Sequence, residues 1–397
     1  METLRFLFTS SFYPPYHIGG DAVHVKYLAE ELAKLGHEVH VLHSIDAYRV
    51  KRKNPINENK PSSIHTHPIK TRFNNTAYGA YFFGHSSTVT SKFKELTNTL
   101  KPDIVHHHNI SLLGYELLFK EKNYFNLFTA HDFWLICQQN NLLKKSGKIC
   151  EKKACFSCCI AYRRPPQVWR QSAKIKKALS KIDLLISPSQ FTHSVLTKNV
   201  GFNKAIVIPN FAPKPPEIIE SSGFSSFFTY VGALEKHKGI LELVKFFGEK
   251  SLDLNLVIAG DGRLANEIRR YLRRNSLEKR IVLLGWVDHD SLYSLLTDAN
   301  ALFMPSICAE NAPLAMLEAL SVGTPVIASN VGGLPEILQH VDQGLIYKDA
   351  ASLERLLYDF SKDKYSQTKL KTVFNRNFSP QAYLNEYLKI LKDLTMG

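Results

Sequence analysis

The chain has 397 residues, 44% of them apolar, which is the length of two ordinary domains and the composition of a soluble globular protein. It contains no run of about 18 apolar residues, which excludes a membrane-spanning helix, and METLRFLFTSSFYPP at its start lacks the pattern of a secretory signal. We therefore expect a cytoplasmic protein, in which the six cysteines are not expected to form structural disulfides.

The formal net charge of +14 is concentrated in one segment. Between Asn140 and Lys181, twelve lysines and arginines face a single acid, Glu151, so this segment alone carries 12 − 1 = +11. Such a concentration indicates an anionic partner, although a solvated loop without any partner explains it equally well. Aromatic residues do not alternate with the basic ones and no nucleic-acid-binding motif is present, so we expect no nucleic acid. Our hypothesis for the anionic partner of segment 140–181 is a membrane surface.

The first half of the chain alternates predicted strands and helices. LRFLFTS is a predicted strand, DAVHVKYLAEELAKLG has the periodicity of an amphipathic helix, and HEVHVLHS is the next strand. PDIVHHHN, YFNLFTAHD and IDLLISPS follow as short apolar runs that are typical of parallel strands. This βαβ alternation indicates a doubly wound sheet.

The second half repeats the alternation. Strands are predicted at FFTYVGAL, LNLVIAG, RIVLLGWV, NALFMPS and TPVIAS, with helices at KGILELVKFFGEK and RLANEIRRYLRRN. Between the halves, VIPNFAPKPPEIIESSGFSS contains four prolines and a cluster of serines, which indicates a linker. SPQAYLNEYLKILKDL near the end of the chain predicts an amphipathic helix.

These elements predict an α/β protein made of two doubly wound, Rossmann-like domains that face each other across a cleft. The amino-terminal domain is predicted over 1–208, with a cysteine-rich basic insertion at about 137–181. A linker over 209–226 leads to a carboxyl-terminal domain over 227–376. The final helix, 377–397, is expected to pack back toward the amino-terminal domain.

In sheets of this kind, ligands bind at the carboxyl ends of the strands. After the first strand, Gly19 and Gly20 precede a helix, where glycines allow a backbone to approach a phosphate, or simply form a tight turn. His131 ends another strand and could orient a hydroxyl, shuttle a proton, or play a purely structural role. The HHHN tract at residues 106–109 resembles a metal-binding sequence, but adjacent strand residues point in opposite directions, which argues against a shared metal.

The stretch CAENAPLAMLEAL places two glutamates, Glu310 and Glu318, around an otherwise apolar helix. Buried carboxylates need a partner, and vicinal sugar hydroxyls are suitable ligands for them. A nearby lysine is the alternative partner for Glu318.

A helix is predicted to start in this stretch, with Asn311 as its N-cap and Pro313 in its first turn. In the stretch from Ala312 to Leu314, the amides on either side of Pro313 would then be available to bind a diphosphate. Lys238, in the loop after the first strand of the second domain, could pair with the same phosphates.

Taken together, the chain resembles the retaining glycosyltransferases of family 4, which have the GT-B fold. The resemblance covers essentially the whole chain. It is strongest at PSICAENAPLAMLEALSVGTPVIASNVGGLPEIL, which resembles the EX7E motif and following loop of the family. YPPYHIGGDAVHVKYLAEELAKLGHEVHVL, PDIVHHHN, ISPSQF, VIPNF and AGDG support it in the same order along the chain.

The resemblance implies roles for the matching residues. Glu310 would contact the hydroxyls of the donor sugar and Glu318 the ribose of the nucleotide. Lys238 and the amides near Pro313 and Leu314 would hold the diphosphate, which Gly19 and Gly20 would approach from the other domain. His131 would lie near the reacting carbon.

The resemblance also implies that no metal or other cofactor is required, since the leaving diphosphate helps to deprotonate the acceptor. One position departs from the family pattern, because Ala233 stands where an arginine is usual. Lys236 or Arg263 could compensate for the lost phosphate contact.

Four cysteines could hold a structural zinc ion, since the last two form a CxxC pair: Cys150, Cys155 and Cys158 in the basic segment, and Cys137 just upstream of it. Buried or unmodified thiols are the alternative. The partners expected from the sequence and the resemblance are a nucleotide sugar and a glycan or lipid-linked acceptor. A nucleotide-sugar epimerase and a non-catalytic nucleotide-sugar-binding protein on the same fold are the competing functions.

Overall fold

The computed structural model describes residues 3–52, 64–120, 123–151, 154–249 and 254–396. The chain forms two compact units: unit 1 consists of Met1–Ile208 with Tyr387–Gly397, and unit 2 of Pro209–Glu386. Lys152 and Lys153, which belong to the predicted basic segment, lie outside the described residues.

Unit 1 is built on a seven-stranded parallel sheet. Its strands are β1 (Arg5–Ser10), β2 (Glu38–Ser44), β3 (His65–Ile69), β4 (Ile104–His107), β5 (Phe125–Thr129), β6 (Leu184–Ser187) and β7 (Ala205–Val207). The strand order is β3-β2-β1-β4-β5-β6-β7, so the order reverses between β1 and β4. The central strands form because their apolar runs are buried on both faces, as β1 and β6 show.

Helices connect these strands. They are α1 (Gly20–Lys34), α2 (Ile45–Lys51), α3 (Asn75–Phe83), α4 (Ser87–Leu100), α5 (Cys155–Ala161), α6 (Ala173–Leu179) and α7 (Gln190–Asn199), with 3₁₀ turns at Tyr115–Leu118 and Val168–Gln171. Sequence reasoning missed β3 and β7. Both are edge strands, which lack the continuous burial that marks the central strands.

Unit 2 repeats the architecture with a six-stranded parallel sheet. Its strands are β8 (Phe227–Val231), β9 (Asn255–Ala259), β10 (Ile281–Gly285), β11 (Leu302–Met304), β12 (Val326–Ser329) and β13 (Ile346–Tyr347). Their order is β10-β9-β8-β11-β12-β13, so the reversal lies between β8 and β11. This is the topological switch point at which sheets of this class bind ligands.

The helices of unit 2 cover its sheet and enclose one large apolar core. They are α8 (Ile240–Glu249), α9 (Ala265–Arg274), α10 (His289–Asp298), α11 (Leu314–Val322), α12 (Leu334–Leu338), α13 (Ala350–Asp359) and α14 (Gln367–Asn377). The last helix, α15 (Pro380–Met396), begins in unit 2, and its residues from Tyr387 onward group with unit 1. In the described part of the chain, no helix is long and apolar enough to cross a membrane.

Candidate functional site

The loops that follow β8 and β11 pack against each other at the switch point of unit 2. Gly239 has a φ of +70°, and a Cβ atom at this position would lie 1.8 Å from the carbonyl oxygen of Pro305. The carbonyl of His237 accepts hydrogen bonds from the amides of Ile307 and Cys308, at 3.0 and 3.3 Å. A glycine at position 239 is therefore required for this close approach of the two loops.

This packing brings Lys238 to Glu310. The Lys238 ammonium donates a hydrogen bond of 2.6 Å to Oε1 of Glu310, and the Ser306 hydroxyl donates another of 2.6 Å to the same oxygen. Burial by itself would raise the pKa of Glu310, but Lys238 and Ser306 outweigh it and hold the pKa below its usual value. Glu310 is therefore an anion near neutral pH. Both of these bonds fall on Oε1, which leaves Oε2 for a ligand.

The backbone around Glu310 is fixed from two sides. The amide of Gly333, in the loop after β12, donates a 2.7 Å hydrogen bond to the carbonyl of Glu310. Asn210 is buried and donates from Nδ2 to the carbonyl of Ala312 at 2.9 Å. These contacts hold the Glu310–Ala312 backbone in place before any ligand binds, which favours precise positioning of the carboxylate.

Helix α11 begins directly after this loop. Its first residue is Leu314 and its N-cap is Pro313, which has no side-chain capping bond, so the prediction that Asn311 caps this helix is wrong. Asn311 is buried three residues before the first helical residue, too early to reach the helix start. The first amides of a helix lack intrahelical partners, so the start of α11 next to Glu310 offers N–H groups to an anion.

Glu318 lies in the middle of α11 and is buried. The Oε1 atom of Glu318 is 3.3 Å from Nε2 of His289, the first residue of α10. Glu318 therefore pairs with a histidine and not with the lysine that the sequence suggested as an alternative. His289 belongs to the DHD tripeptide at residues 288–290. Asp288 caps α10 by accepting a 2.8 Å hydrogen bond from the amide of Ser291. The two glutamates of CAENAPLAMLEAL thus each have a cationic or potentially cationic partner within unit 2.

Ala233, the position that departs from the family pattern, is exposed in the loop after β8. Arg263, a proposed substitute, is held by Glu235, whose Oε1 accepts from the guanidinium Nε at 3.2 Å. Lys236 is exposed in the 3₁₀ turn that also carries Lys238. Of the two candidates, Lys236 is the one that no ion pair in the described residues restrains.

In unit 1, Gly19 and Gly20 lie where α1 begins, and both are exposed. Gly19 is the N-cap residue of α1. The loop after β4 contacts this turn, because the side-chain amide of Asn109 donates a 2.8 Å hydrogen bond to Oδ2 of Asp21. The two glycines therefore border the switch point between β1 and β4, and their predicted phosphate contact stays a prediction.

His131 follows β5 and belongs to a group of four histidines, which we call the histidine cluster: His24, His106, His108 and His131. Nδ1 of His108 and Nε2 of His131 share a 3.0 Å hydrogen bond, and the rings of His106 and His108 lie 4.1 Å apart. Burial lowers the pKa of His131 to about 3. His131 is therefore neutral near pH 7, which favours the hydroxyl-orienting role over proton shuttling.

The histidine cluster should make unit 1 labile in acid. Burial first, and the neighbouring imidazoles second, lower the pKa of His24, His106 and His108 well below the usual value. In the unfolded chain these groups titrate near 6.5, so the stability is fully present above about pH 6.5 and is lost as the pH falls below it. Each buried histidine should remove about 1.4 kcal/mol per pH unit. Urea unfolding followed between pH 7.5 and 5 measures this slope.

Asp132 has the opposite effect on the pH dependence of stability. Burial raises its pKa to about 7, so its contribution to the free energy of unfolding grows as the pH falls from 7 to about 4. In the His24→Leu variant, the number of protons taken up on unfolding should fall by about one, and the pH dependence of the free energy of unfolding should become shallower. A stability that stays flat down to pH 5 in the wild type would show that the cluster is solvated or protonated in the folded state.

The predicted zinc ligands lie in the segment between β5 and β6. None of the six cysteines forms a disulfide. Burial and the neighbouring thiols Cys137, Cys159, Cys150 and Cys155 raise the pKa of Cys158, so these thiols lie near one another. Within the described ranges, no group of three or more His, Cys, Asp or Glu side chains has an arrangement suited to a metal ion. The zinc site stays a prediction, which a zinc determination on the purified protein checks.

Sequence reasoning missed several residues of the site. Ser306 and Asn210 were not singled out because serine and asparagine at strand ends are common turn residues. His289 was not singled out as a partner of Glu318. The signal that could have indicated it is the need of the buried Glu318 for a partner.

Comparison with known proteins agrees with the two-unit architecture. The family description "Glycosyltransferase Family 4" matches residues 18–213, and "Glycosyl transferases group 1" matches residues 214–377. The two matches meet between Pro213 and Lys214, in the segment predicted as a linker, and together cover most of the chain.

Individual relatives point in the same direction. An uncharacterized glycosyltransferase of Methanocaldococcus jannaschii is 28% identical over 350 residues, which cover 87% of this chain and 84% of that protein. The UDP-Gal:alpha-D-GlcNAc-diphosphoundecaprenol alpha-1,3-galactosyltransferase of Escherichia coli is 30% identical over 202 residues, 49% of this chain and 51% of that protein. Sucrose-phosphate synthase from Thermosynechococcus elongatus has a similar structure, with a TM-score of 0.74, 19% identity and 99% of both chains covered. The last likeness supports the fold and confirms the predicted α/β class with two parallel-sheet domains.

Proposed function

The chain belongs to the family-4 glycosyltransferases, with the GT-B fold, and on that premise we propose that it moves a sugar from a nucleotide-diphosphate sugar to a glycan or lipid-linked acceptor with retention of anomeric configuration. The observation that carries the donor assignment is the Lys238–Glu310 pair at the switch point of unit 2. A cation and an anion held 2.6 Å apart next to a helix start match the two ends of a sugar diphosphate.

In this proposal, Glu310 and Glu318 are the two acids of the EX7E motif. Oε2 of Glu310 accepts hydrogen bonds from donor-sugar hydroxyls while Oε1 stays on Ser306. Glu318, held by His289, accepts from the ribose hydroxyls. The first amides of α11 and the Lys238 ammonium bind the diphosphate. Donor binding therefore breaks the Lys238–Glu310 contact, after which Lys238 contacts the diphosphate and Glu310 contacts the sugar hydroxyls.

The same groups account for the chemistry. The acceptor oxygen bonds to the anomeric carbon as the bond from that carbon to the diphosphate oxygen breaks, and the electron pair leaves with the nucleoside diphosphate. The acceptor proton passes to the departing diphosphate. Lys238 and the α11 amides stabilise the negative charge that develops on the leaving group, and this stabilisation lowers the barrier. No group in this sequence of steps requires a metal ion.

The lipid-linked acceptor is supported by the Escherichia coli relative, whose name includes a diphosphoundecaprenol-linked sugar as its acceptor and UDP-Gal as its donor. For this chain, a polyprenyl-diphosphate-linked sugar is the first acceptor to assay. The contact of segment 140–181 with an anionic membrane fits such an acceptor, because the reaction would then take place at a bilayer surface. The cytoplasmic location and the roles of Gly19, Gly20 and His131 remain predictions.

A thermal-shift screen with UDP, GDP and ADP tests the donor site. A nucleotide at 100 times its Kd adds about 2.7 kcal/mol to the free energy of unfolding, a visible rise in Tm. We expect one nucleotide to stabilise the wild type and not Glu318→Ala, since this variant removes the ribose contact. Glu267→Ala, on the exposed face of α9, is the matched control and should respond as the wild type does.

The competing function is a non-catalytic nucleotide-sugar-binding protein, which Ala233 favours because it removes one phosphate contact. That function predicts nucleotide stabilisation without sugar transfer to any acceptor. Stabilisation by no nucleotide at all would contradict both functions.

A further inference from the structure

Unit 1 exposes a group of large apolar side chains on neighbouring elements. We call it the aromatic face, and it consists of Phe73, Tyr78, Phe82, Phe83, Phe156, Ile160 and Val168. These seven side chains are 45–66% exposed, and they are most of the twelve large apolar side chains that stand exposed among the described residues. Single exposed apolar residues are normal, but a concentration of this kind on a folded protein marks a binding surface.

The elements that carry the aromatic face are joined by direct contacts. The hydroxyl of Tyr81 on α3 donates to the carbonyl of Pro165 at 3.1 Å, and the indole of Trp169 donates to the carbonyl of Tyr81 at 3.0 Å. The ring of Tyr115 stacks on the ring of Trp169, with 5.3 Å between the ring centres, and so packs against the same junction. Helix α3 therefore lies beside the segment that follows α5.

Helical spacing orients the apolar residues of both helices. Tyr78 and Phe82 are four residues apart on α3, and Phe156 and Ile160 are four residues apart on α5, so each pair projects from one side of its helix. The buried residues of α3, which include Ala77 and Ala80, occupy its other side. Packing against the core thus accounts for one side of α3 and leaves the aromatic side uncovered.

The two sequence segments that carry the aromatic face contain basic but no acidic residues, although acids from elsewhere in the chain contact them, as Glu116 does, whose Oε1 lies 3.8 Å from Nδ1 of His85. The sequence contains no aspartate or glutamate from position 64 to 94 or from 154 to 182. Exposed cations lie within these ranges: Arg72, Arg163, Arg164, Lys174, Lys176, Lys177 and Lys181. The Arg72 guanidinium also lies 5.2 Å from the ring centre of Phe73, so a cation and an aromatic ring occur side by side.

We propose that the aromatic face is the surface by which this protein binds an anionic lipid bilayer. Its aromatic rings enter the headgroup region, where amphipathic and aromatic side chains are favoured, and the surrounding lysines and arginines pair with lipid phosphates. Protein–protein interfaces are instead depleted in lysine, and a protein partner gives no reason for the absence of acids from both segments that carry the aromatic face. The inference does not depend on the donor chemistry of unit 2.

Vesicle binding by the full chain tests this inference. Phosphatidylcholine vesicles, with and without 30% phosphatidylglycerol, are sedimented with the wild type and with Phe82→Ser/Phe83→Ser. We expect the wild type to bind the anionic vesicles at least about tenfold more strongly than the neutral ones, and the double variant to lose most of that binding. Trp286→Ser/Tyr358→Ser, which removes two exposed aromatics of unit 2, is the matched control and should bind like the wild type.

A second variant reports insertion directly. Phe82→Trp in vesicles of brominated phosphatidylglycerol should lose indole fluorescence beyond any loss shown by the wild type, whose tryptophans are Trp134, Trp169 and Trp286. Circular dichroism checks that each variant is folded.

Failure of the wild type to bind anionic vesicles would overturn the proposal, as would equal losses in the unit 2 control. Light scattering provides the other decisive result. If the wild type is a dimer and Phe82→Ser/Phe83→Ser is a monomer that still binds vesicles, the aromatic face is a self-association surface instead. Nucleotide thermal shifts, measured on the same variants, should stay at the wild-type value, so that a failure of the donor site is recognised separately.

Discussion

Replacing Glu310 by glutamine should lower the turnover number for sugar transfer by about 100- to 1000-fold, the usual effect of removing one group that stabilises charge in a transition state. Glutamine keeps the shape of the side chain and can still accept hydrogen bonds from Lys238 and Ser306. It loses the negative charge, which Lys238 keeps ionised despite burial. That charge should matter most when the anomeric carbon becomes positive as its bond to the diphosphate breaks.

The expected pattern separates chemistry from binding. Nucleotide affinity should change less than about threefold in Glu310→Gln, because Glu318 and the α11 amides make the nucleotide contacts, so the loss should appear in kcat and not in the thermal shift with nucleotide. Glu235→Gln is the matched control. Glu235 lies in the same loop as Lys238 but pairs with the exposed Arg263, and its loss should leave transfer near the wild-type rate. A Glu310→Gln enzyme with more than a tenth of wild-type turnover would remove Glu310 from the reaction.

Gly239→Ala should destabilise unit 2 by about 3 kcal/mol or more and abolish nucleotide binding. The new methyl carbon would lie 1.8 Å from the carbonyl oxygen of Pro305, which is backbone and cannot swing away. The loops after β8 and β11 would have to separate, and Lys238 would then move away from Glu310. Urea unfolding monitored by circular dichroism, together with the nucleotide thermal shift, measures both effects.

The control for this substitution is Gly285→Ala. Gly285 has a φ of +82°, close to the +70° of Gly239, but a Cβ atom there would meet nothing within 4 Å. Gly285→Ala should therefore show only the cost of a left-handed alanine, about 1–2 kcal/mol, and should keep nucleotide binding. Equal destabilisation by the two substitutions would mean that backbone strain, and not the contact with Pro305, decides the effect at Gly239.

The candidate site shows how far a sequence can be interpreted residue by residue. Glu310 and Lys238 were each recognisable, because each follows an apolar strand and has a group suited to one part of a sugar diphosphate: the carboxylate suits the sugar hydroxyls and the ammonium suits the phosphates. Their mutual ion pair was not, since it depends on the adjacency of β8 and β11, which are about seventy residues apart in the chain. The partner of Glu318 was missed for the same reason, because His289 reaches it from a different helix.

The predicted start of helix α11 was wrong. The residue type at Asn311 favours an N-cap, but α11 starts only at Leu314, because Asn311 belongs to a loop whose backbone is fixed by Gly333 and Asn210. Side-chain preference is worth about 1 kcal/mol at such a position, and tertiary hydrogen bonds outweigh it.

The sequence by itself determined the α/β class, the division into two strand–helix series and the family, because buried parallel strands require continuous apolar runs and because the motif residues occur in a fixed order along the chain. Only the tertiary structure decided which strands are neighbours, and therefore which polar side chains meet. The histidine cluster forms because β4 and β5 pair side by side. The aromatic face likewise depends on burial: an apolar helix residue is part of the core or part of a binding surface according to what packs against it, and local sequence does not contain that information.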